Sequence, residues 1–476
     1  MASLFSRDKR IIWMRRIRNF WEEFSHTKIG LVGLGLLVLY ILVAALSPWL
    51  TPYDPIAQPR LAQSFAMPEW VTVFPQFSNL TKTRRITLSW NVENDPLNLV
   101  TGGWGTSVGV QYKAGDLQPV LLVLHSKFSY AEIPPNEFFQ QFAYQSTDTK
   151  DVEYSVTLNL VTPEGEIYQF WDEGGLTGDR GQWVTRDSKD PLFIAALFPN
   201  EPGKHLGKVF FTQKGEYTFV LELRFRPKSM DATAQLEISD SKLVILGHVH
   251  GILGADYFAK DIWAQVVYGA QLSLAIGFLA AIVGTSIGIL VGVVSGYLGG
   301  IADEVSMRIV DILLCLPLLP LLLALVNLYG RNVYYIVLFI AIFGWQGLAR
   351  VIRSQTLSIR ETAYIETARA SGAGGFYIML RHIIPNIIPV AFASMVLAVP
   401  SAILFESALS FLGFGDPRVP TWGKMLQHAF QSGAFINLAW WWIIPPGIAI
   451  IGICMAFVFI GFAFDEIVNP RLRRRR

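Results

Sequence analysis

Several stretches of this chain are long and apolar enough to cross a bilayer, which takes about 20 mostly apolar residues. They run from about Lys28 to Leu50, Leu272 to Leu298, Ile309 to Leu328, Val333 to Leu348, Ile387 to Leu412 and Trp440 to Phe464. In hydrocarbon every backbone N–H and C=O needs a partner within the protein, so a spanning segment is a helix or part of a closed barrel. Runs of this length predict an all-α polytopic membrane domain with six transmembrane helices. Only 16% of residues are charged, against about 25% in soluble domains. The first run is too long for a signal-peptide core, and Ser47-Pro48-Trp49 makes a poor cleavage site, so it reads as a retained helix.

The basic residues fix an orientation. Arg7, Lys9, Arg10, Arg15, Arg16 and Arg18 precede the first run, and Arg471, Arg473, Arg474, Arg475 and Arg476 follow the last. Arg350, Arg353, Arg360, Arg369 and Arg381 lie between the fourth and fifth runs, whereas Tyr329 to Asn332 carries one Arg. Cytoplasmic loops are the Lys/Arg-rich ones, so both termini are expected in the cytoplasm. Beside a membrane span, the C-terminal arginines read as an anchor and not as a nucleic-acid site. Trp440, Trp441 and Trp442 fit an interfacial aromatic belt at the outer start of the sixth span.

Between the first and second spans the period of the pattern changes to two. Val152, Tyr154, Val156, Leu158 and Leu160 alternate with polar residues, as do Tyr217, Phe219, Leu221, Leu223 and Phe225, and Ile86, Leu88, Trp90 and Val92. Turn signals such as Pro163-Glu164-Gly165 and Lys214-Gly215 separate the strands. Such alternation with one buried face predicts an antiparallel all-β sandwich. The expected division is residues 1–58 (cytoplasmic segment and first span), 59–246 (inserted extracellular or periplasmic β-rich domain) and 247–476 (five-helix core).

Several chemistries have no representative. No Gly-x-x-x-x-Gly-Lys-Ser/Thr loop is present, so the chain is not expected to hydrolyse ATP. No His-Glu-x-x-His occurs, and His248 and His250 lack a companion cluster of ligands, so they are expected to be solvent-exposed linker residues. Cys315 and Cys454 fall in apolar runs and read as small buried hydrophobes. No catalytic group, metal site or cofactor is called for.

The loop before the fifth span carries the most specific pattern. It reads Glu366-Thr367-Ala368-Arg369-Ala370-Ser371-Gly372-Ala373, then Arg381-His382-Ile383-Ile384-Pro385-Asn386. Small residues let a partner surface approach closely, Gly372 can turn the chain, and Pro385 is expected to end the next segment and redirect it. A helix–turn–helix on the cytoplasmic surface is predicted.

These residues resemble the EAA loop of binding-protein-dependent ABC importers, with Glu366, Ala368, Gly372 and Pro385 in place. Thr367 stands where that family usually has Ala, and Ile384 where it has Leu. The resemblance extends over residues 247–476 and the first span. It includes His250-Gly251-Ile252-Leu253-Gly254-Ala255-Asp256, Tyr268-Gly269-Ala270-Gln271-Leu272-Ser273-Leu274, Arg308-Ile309-Val310-Asp311-Ile312-Leu313, Ser407-Ala408-Leu409-Ser410-Phe411-Leu412-Gly413-Phe414-Gly415, Trp422-Gly423-Lys424-Met425-Leu426 and Asn469-Pro470-Arg471. Together they resemble the second-permease type of the dipeptide and oligopeptide importers. The resemblance implies a membrane permease subunit working by alternating access, with ATP hydrolysed elsewhere. It further implies four partners: a second homologous permease, two cytoplasmic ATPase subunits docked on the Glu366–Pro385 loop, and an external substrate-binding protein. A short loop is usual where this chain carries its β-rich insertion. That insertion is expected to help receive the binding protein or to serve as a cap.

Polar residues inside a span are functional candidates by default. Glu406, with Ser407 and Ser410 on the same run, either faces the substrate path or holds two helices together. Asp311 is also a candidate for the path, though a salt bridge to Arg308, one turn away, is the favoured reading. The same branch includes permeases for metal chelates and sugars, so those substrates stay open. A receptor with an external sensor domain, or a membrane-embedded enzyme, would need no EAA loop.

Overall fold

The computed structural model describes residues 18, 21–102, 107–201 and 203–468. The terminal arginines Arg7 to Arg16 and Arg471 to Arg476, with Asn469 and Pro470, lie outside the described residues. The chain divides into two compact units, one of Met1–Gln58 with Ile262–Arg476 and one of Pro59–Asp261.

The first unit is helical. Its elements are α1 (Lys28–Ala45), α2 (Ile262–Leu298), α3 (Gly300–Cys315), α4 (Leu318–Tyr329), α5 (Val333–Ile342), α6 (Gln346–Arg360), α7 (Ala363–Ala370), α8 (Gly375–Phe411), α9 (Trp422–Gln431) and α10 (Trp440–Val468). Among the described residues five segments are long and apolar enough to cross a membrane, counting α5 and α6 (Val333–Arg360) as one, or six if the bent pair α3–α4 also counts as one span.

That pair corrects the expected third span. Ile309 to Leu328 is no continuous helix, because α3 and α4 meet at 88°. Leu316 is extended (φ −75°, ψ 130°) and Pro317 caps α4. A residue before proline is pushed out of the helical region by the ring, so the break is local in origin. The fourth run is interrupted too, between Ile342 and Gln346. Gly344 sits in this break, where a Cβ would meet the Ile340 carbonyl oxygen at 2.8 Å. In the other direction, α2 begins ten residues earlier than the apolar run, at Ile262.

Helix α2 packs through a stripe of glycines at every fourth position, which share one face. A Cβ on Gly292 would meet the Ala349 carbonyl oxygen and the Ile352 Cβ at 2.7 Å, and one on Gly296 the Thr356 Cβ at 2.8 Å. On Gly288 it would meet Leu348 at 3.1 Å, and on Gly284 the Ala341 carbonyl oxygen at 3.4 Å. The missing side chains let α5 and α6 lie against the α2 backbone, the usual way membrane helices gain contact without a hydrophobic drive.

Two expectations about exposure change. Cys315 is exposed and Cys454 only half-buried, since an apolar segment in a membrane need not face protein. Trp441 and Trp442 are buried and only Trp440 stays exposed. Consecutive helical residues point about 100° apart, so three tryptophans in a row cannot all face a lipid belt.

The second unit is β-rich. Its outer strands are β1 (Arg84–Thr87), β2 (Asn91–Asn94), β3 (Val100–Gly102), β8 (Ile167–Leu176) and β9 (Arg180–Asp187). The central strands are β4 (Val108–Lys113), β5 (Val120–Tyr130), β6 (Phe138–Lys150), β7 (Val152–Val161), β10 (Gly215–Pro227) and β11 (Thr233–Ile245). One sheet runs β3-β4-β11-β6-β9, with β1 also on β11, and the other runs β2-β5-β10-β7-β8. Every ladder is antiparallel. In β10, Leu221 lies opposite Leu124 of β5 and Leu158 of β7, and all three are buried. Tyr112 of the first sheet stacks on Phe225 of the second, ring centroids 4.7 Å apart, so the two buried faces share one core. Arg60 ties the incoming chain to this unit by ion pairs with Glu137 and Asp187.

His248 and His250 are not solvent-exposed linkers. His248 Nδ1 lies 3.2 Å from the Thr81 hydroxyl, and burial pushes its imidazole below the ordinary value. His250 Nε2 lies 3.1 Å from Asp261. The connection between the β-rich unit and α2 folds back on the unit's own loops, and that withdraws both rings from water.

Candidate functional site

The EAA-like segment forms α7 and the turn after it. Thr362 is extended ahead of the helix, Ile365 is its buried residue, and Glu366, Thr367, Arg369 and Ala370 are exposed, with Ala368 half-buried. Ile365 joins Val293, Ile352, Ile378, Ile383 and Ile387 in one cluster, which fixes the helix to the ends of α2, α6 and α8. Gly372 has φ +84°, donates to the Arg369 carbonyl at 3.0 Å, and the half-buried Ala373 donates to that of Ala368 at 3.1 Å. That pair of bonds is the Schellman end of a helix, whose left-handed position favours glycine. Nothing lies within 4 Å of a Cβ placed on Gly372. The turn therefore projects into open space.

Pro385 corrects the expectation that it ends a segment. It lies within α8, which runs on from Gly375 to Phe411. A π turn over Met379–Ile383 precedes it. The proline ring would clash with the carbonyl four residues back, and the wider π turn displaces that carbonyl. The second helix of the pair is thus the start of the span itself.

Sequence reasoning missed the aromatics beside α7. Phe376 is 73% exposed, and Tyr377, Tyr364 and Leu380 are also exposed. Tyr377 and Tyr364 flank the His382 ring at 5.9 and 6.3 Å. An apolar patch beside exposed small and charged residues has the composition of a protein interface. The signal was present as three aromatic residues within an otherwise charged loop.

The expected path residues do not gather in one place. Glu406 is 2% exposed and accepts a hydrogen bond from the Ser410 hydroxyl at 2.6 Å. Ser410 lies 3.4 Å from Thr421, which caps α9. Ser407 is buried under Gly423, where a Cβ would meet its carbonyl oxygen at 2.6 Å. Glu406 thus bonds within α8 and reaches α9 through Ser410. Asp311 pairs with Arg350 of α6, while Arg308 pairs with Glu304 at 3.1 Å. The expected Asp311–Arg308 bridge is replaced because α6 packs across α3 and offers a nearer cation. Asp416, which sequence reasoning passed over, accepts from the Val333 N–H at 3.2 Å and from the Arg418 N–H at 2.9 Å. Burial alone would raise its carboxyl, yet the bonds from Arg418 and from the two backbone amides hold it below the ordinary value.

A cavity of about 340 Å³ lies elsewhere in the helical unit. Both helix breaks open onto it, through Leu316 and Leu318 on one side and Phe343 to Gln346 on the other, and Ser394 and Ser401 of α8 supply polar wall. Glu406, Ser407, Ser410 and Asp311 are absent from its lining.

Residues 288–474 match the family described as binding-protein-dependent transport system inner membrane component, and residues 16–68 match the N-terminal TM domain of oligopeptide transport permease C. The oligopeptide transport system permease protein OppC of Haemophilus influenzae is 34% identical over 46% of this chain and 70% of its own length. The dipeptide transport system permease protein DppC of Bacillus subtilis is 34% identical over 46% of this chain and 69% of its own. The glutathione transport system permease protein GsiD of Pectobacterium atrosepticum is 34% identical over 46% and 73%. The chain belongs to this permease family. It is a multi-pass membrane protein and a transport subunit, not an enzyme. The MetNI methionine ABC transporter in inward-facing conformations aligns over 44% of this permease and 97% of that chain, at 20% identity and a TM-score of 0.35, too weak a likeness to carry an argument. The two matched ranges leave residues 69–287 of the permease uncovered, including the whole of the β sheets.

Proposed function

We propose that this permease forms one membrane-spanning half of an ATP-driven importer for peptides, with α7 and its Gly372 turn as the docking surface for a cytoplasmic ATPase subunit. The observation that carries the docking is the exposed patch of α7, Gly372, Phe376 and Tyr377. It presents small, charged and aromatic groups together, exposed among the described residues. Peptide cargo is supported by relatives named for oligopeptide, dipeptide and glutathione transport. A second homologous permease, two ATPases and an external binding protein complete the assembly. The arginines of α6 and α7 support a cytoplasmic position for that surface, and hence an outer position for the β-rich unit. ATP-driven closure of the ATPases would displace α7 and switch the exposure of the path between the two permeases.

Gly372→Trp tests the docking. A Cβ there has no described atom within 4 Å, so the expected internal cost is that of the left-handed backbone, about 1–2 kcal/mol. The variant is expected to insert and fold, to lose co-purification with the ATPase, and to lose peptide uptake in proteoliposomes. Normal uptake with a full complement of ATPase would sink the assignment.

A further inference from the structure

Two helices of this permease are joined by charge at two levels, one near the breaks in their continuations and one farther along both helices. On α6, Arg353 holds Asp303 of α3 through two parallel bonds, Nη2 to Oδ2 at 2.5 Å and Nε to Oδ1. One turn earlier Arg350 pairs with Asp311 of α3. The order of pairing, Asp303 with Arg353 and Asp311 with Arg350, makes the helices run in opposite directions. Next to the Asp311–Arg350 pair, on the side of the breaks, Val310 packs with Trp345 and Ala349. Bidentate Arg–carboxylate pairs fix geometry as well as energy, and Asp303 is largely shielded under Arg353, whereas Arg350 and Asp311 both stay exposed.

Both joined helices break where they reach the cavity. Helix α3 ends at Leu316-Pro317 and turns through 88° into α4. Helix α6 begins after the gap that holds Gly344 and Trp345. Leu313 and Leu314, in the last turn of α3, line the cavity, and so do Gln346 and Leu348, in the first turn of α6. At its other end α6 passes into α7 across Glu361 and Thr362. Beyond the breaks, α4 and α5 share a different cluster, in which Leu322, Val326, Ile336 and Phe339 pack with Ala280 of α2 and with Ala402 and Leu409 of α8. Packed clusters shift as units, and the chain bends where packing and backbone bonds are interrupted.

We propose that α3 and α6, together with the stretch of α2 on which α6 packs, form one rigid lever, clamped by Asp303–Arg353 and Asp311–Arg350 and hinged at Leu316-Pro317 and at Phe343–Trp345. It carries the displacement of α7 to the walls of the cavity. The four charged residues are positioning residues for transport: without the clamps, α7 and α6 can move while α3 stays behind. This rests on the docking reading of α7.

Two measurements on the complete transporter test it. In proteoliposomes, Asp303→Asn and Arg353→Gln are expected to retain ATP hydrolysis while peptide uptake per ATP falls about tenfold. The exchange Asp303→Arg with Arg353→Asp is expected to restore most of that ratio. A purely structural role would lower hydrolysis and uptake together. The second measurement needs no clamp variant. Spin labels at Ile301 on α3 and Ser354 on α6, both exposed, should keep a constant separation through the ATP cycle, while labels at Ile301 and Leu328 on α4 should change theirs. An α3–α6 separation that changes with nucleotide overturns the lever and leaves the docking reading standing. No nucleotide response in either pair overturns both. An unchanged uptake per ATP in the single variants overturns the clamp.

Discussion

Replacing Gly292 by alanine would put the packing of α2 against α6 to a quantitative test. The new Cβ would sit 2.7 Å from the Ala349 carbonyl oxygen and from the Ile352 Cβ. That is about 0.7 Å short of ordinary van der Waals contact. Neither neighbour can swing aside, because one is backbone and the other is the first atom of a branched side chain. The helices must part, at a cost of about 1–3 kcal/mol for overpacking. Alanine in place of glycine inside a helix returns about 1 kcal/mol. Net destabilisation is expected, whereas helix propensity alone predicts the opposite sign. Gly35 of α1 is the control, since a Cβ there meets nothing within 4 Å, and Gly35→Ala should gain about 0.5–1 kcal/mol. The purified permease would be heated in detergent and followed by helical circular dichroism. Gly292→Ala should lower the apparent midpoint by about 2–4 °C for each kcal/mol lost in a unit of this size, and Gly35→Ala should leave it level or raise it. If Gly292→Ala is as stable as the parent, the glycine stripe is not what brings α6 onto α2.

Asp416→Ala should cost about 1–3 kcal/mol by leaving the Val333 N–H without its acceptor. The carboxyl titrates below its ordinary value in the folded protein, so its contribution is present above about pH 3.9 and is lost as pH falls through the folded value. Asp416→Asn should therefore flatten the acid limb of a stability profile measured between about pH 5 and 2, and an unchanged limb would refute the assignment. In a background lacking Cys315 and Cys454, Gln118→Cys should react with an impermeant maleimide in intact cells, and Ser371→Cys only after permeabilisation. The reverse pattern would invert the proposed topology.

What the sequence could and could not reveal follows from the range of the forces involved. Alternation along β7 and β10 was legible because one buried face dictates every second residue, and Leu158 and Leu221 do lie opposite each other on adjacent strands. The apolar runs were legible as membrane helices for the same reason, since lipid selects composition residue by residue. The α7 turn was readable from Gly372, whose left-handed backbone is a local demand. The third span was legible only in part: Pro317 and Pro320 can kink a helix, but hydropathy averages across a break and the residues on both sides of it are apolar, so a turn of 88° stayed hidden. Partners of charged residues were misjudged where a distant helix outbid a near neighbour. Asp311 chose Arg350, 39 positions away, over Arg308 one turn along its own helix. An i,i+3 pair between exposed side chains gains only a few tenths of a kcal/mol, too little to hold a carboxylate when α6 brings a guanidinium to it. Position along the chain predicts such contacts only while nothing else packs against them, and the glycines of α2 are what bring α6 within reach.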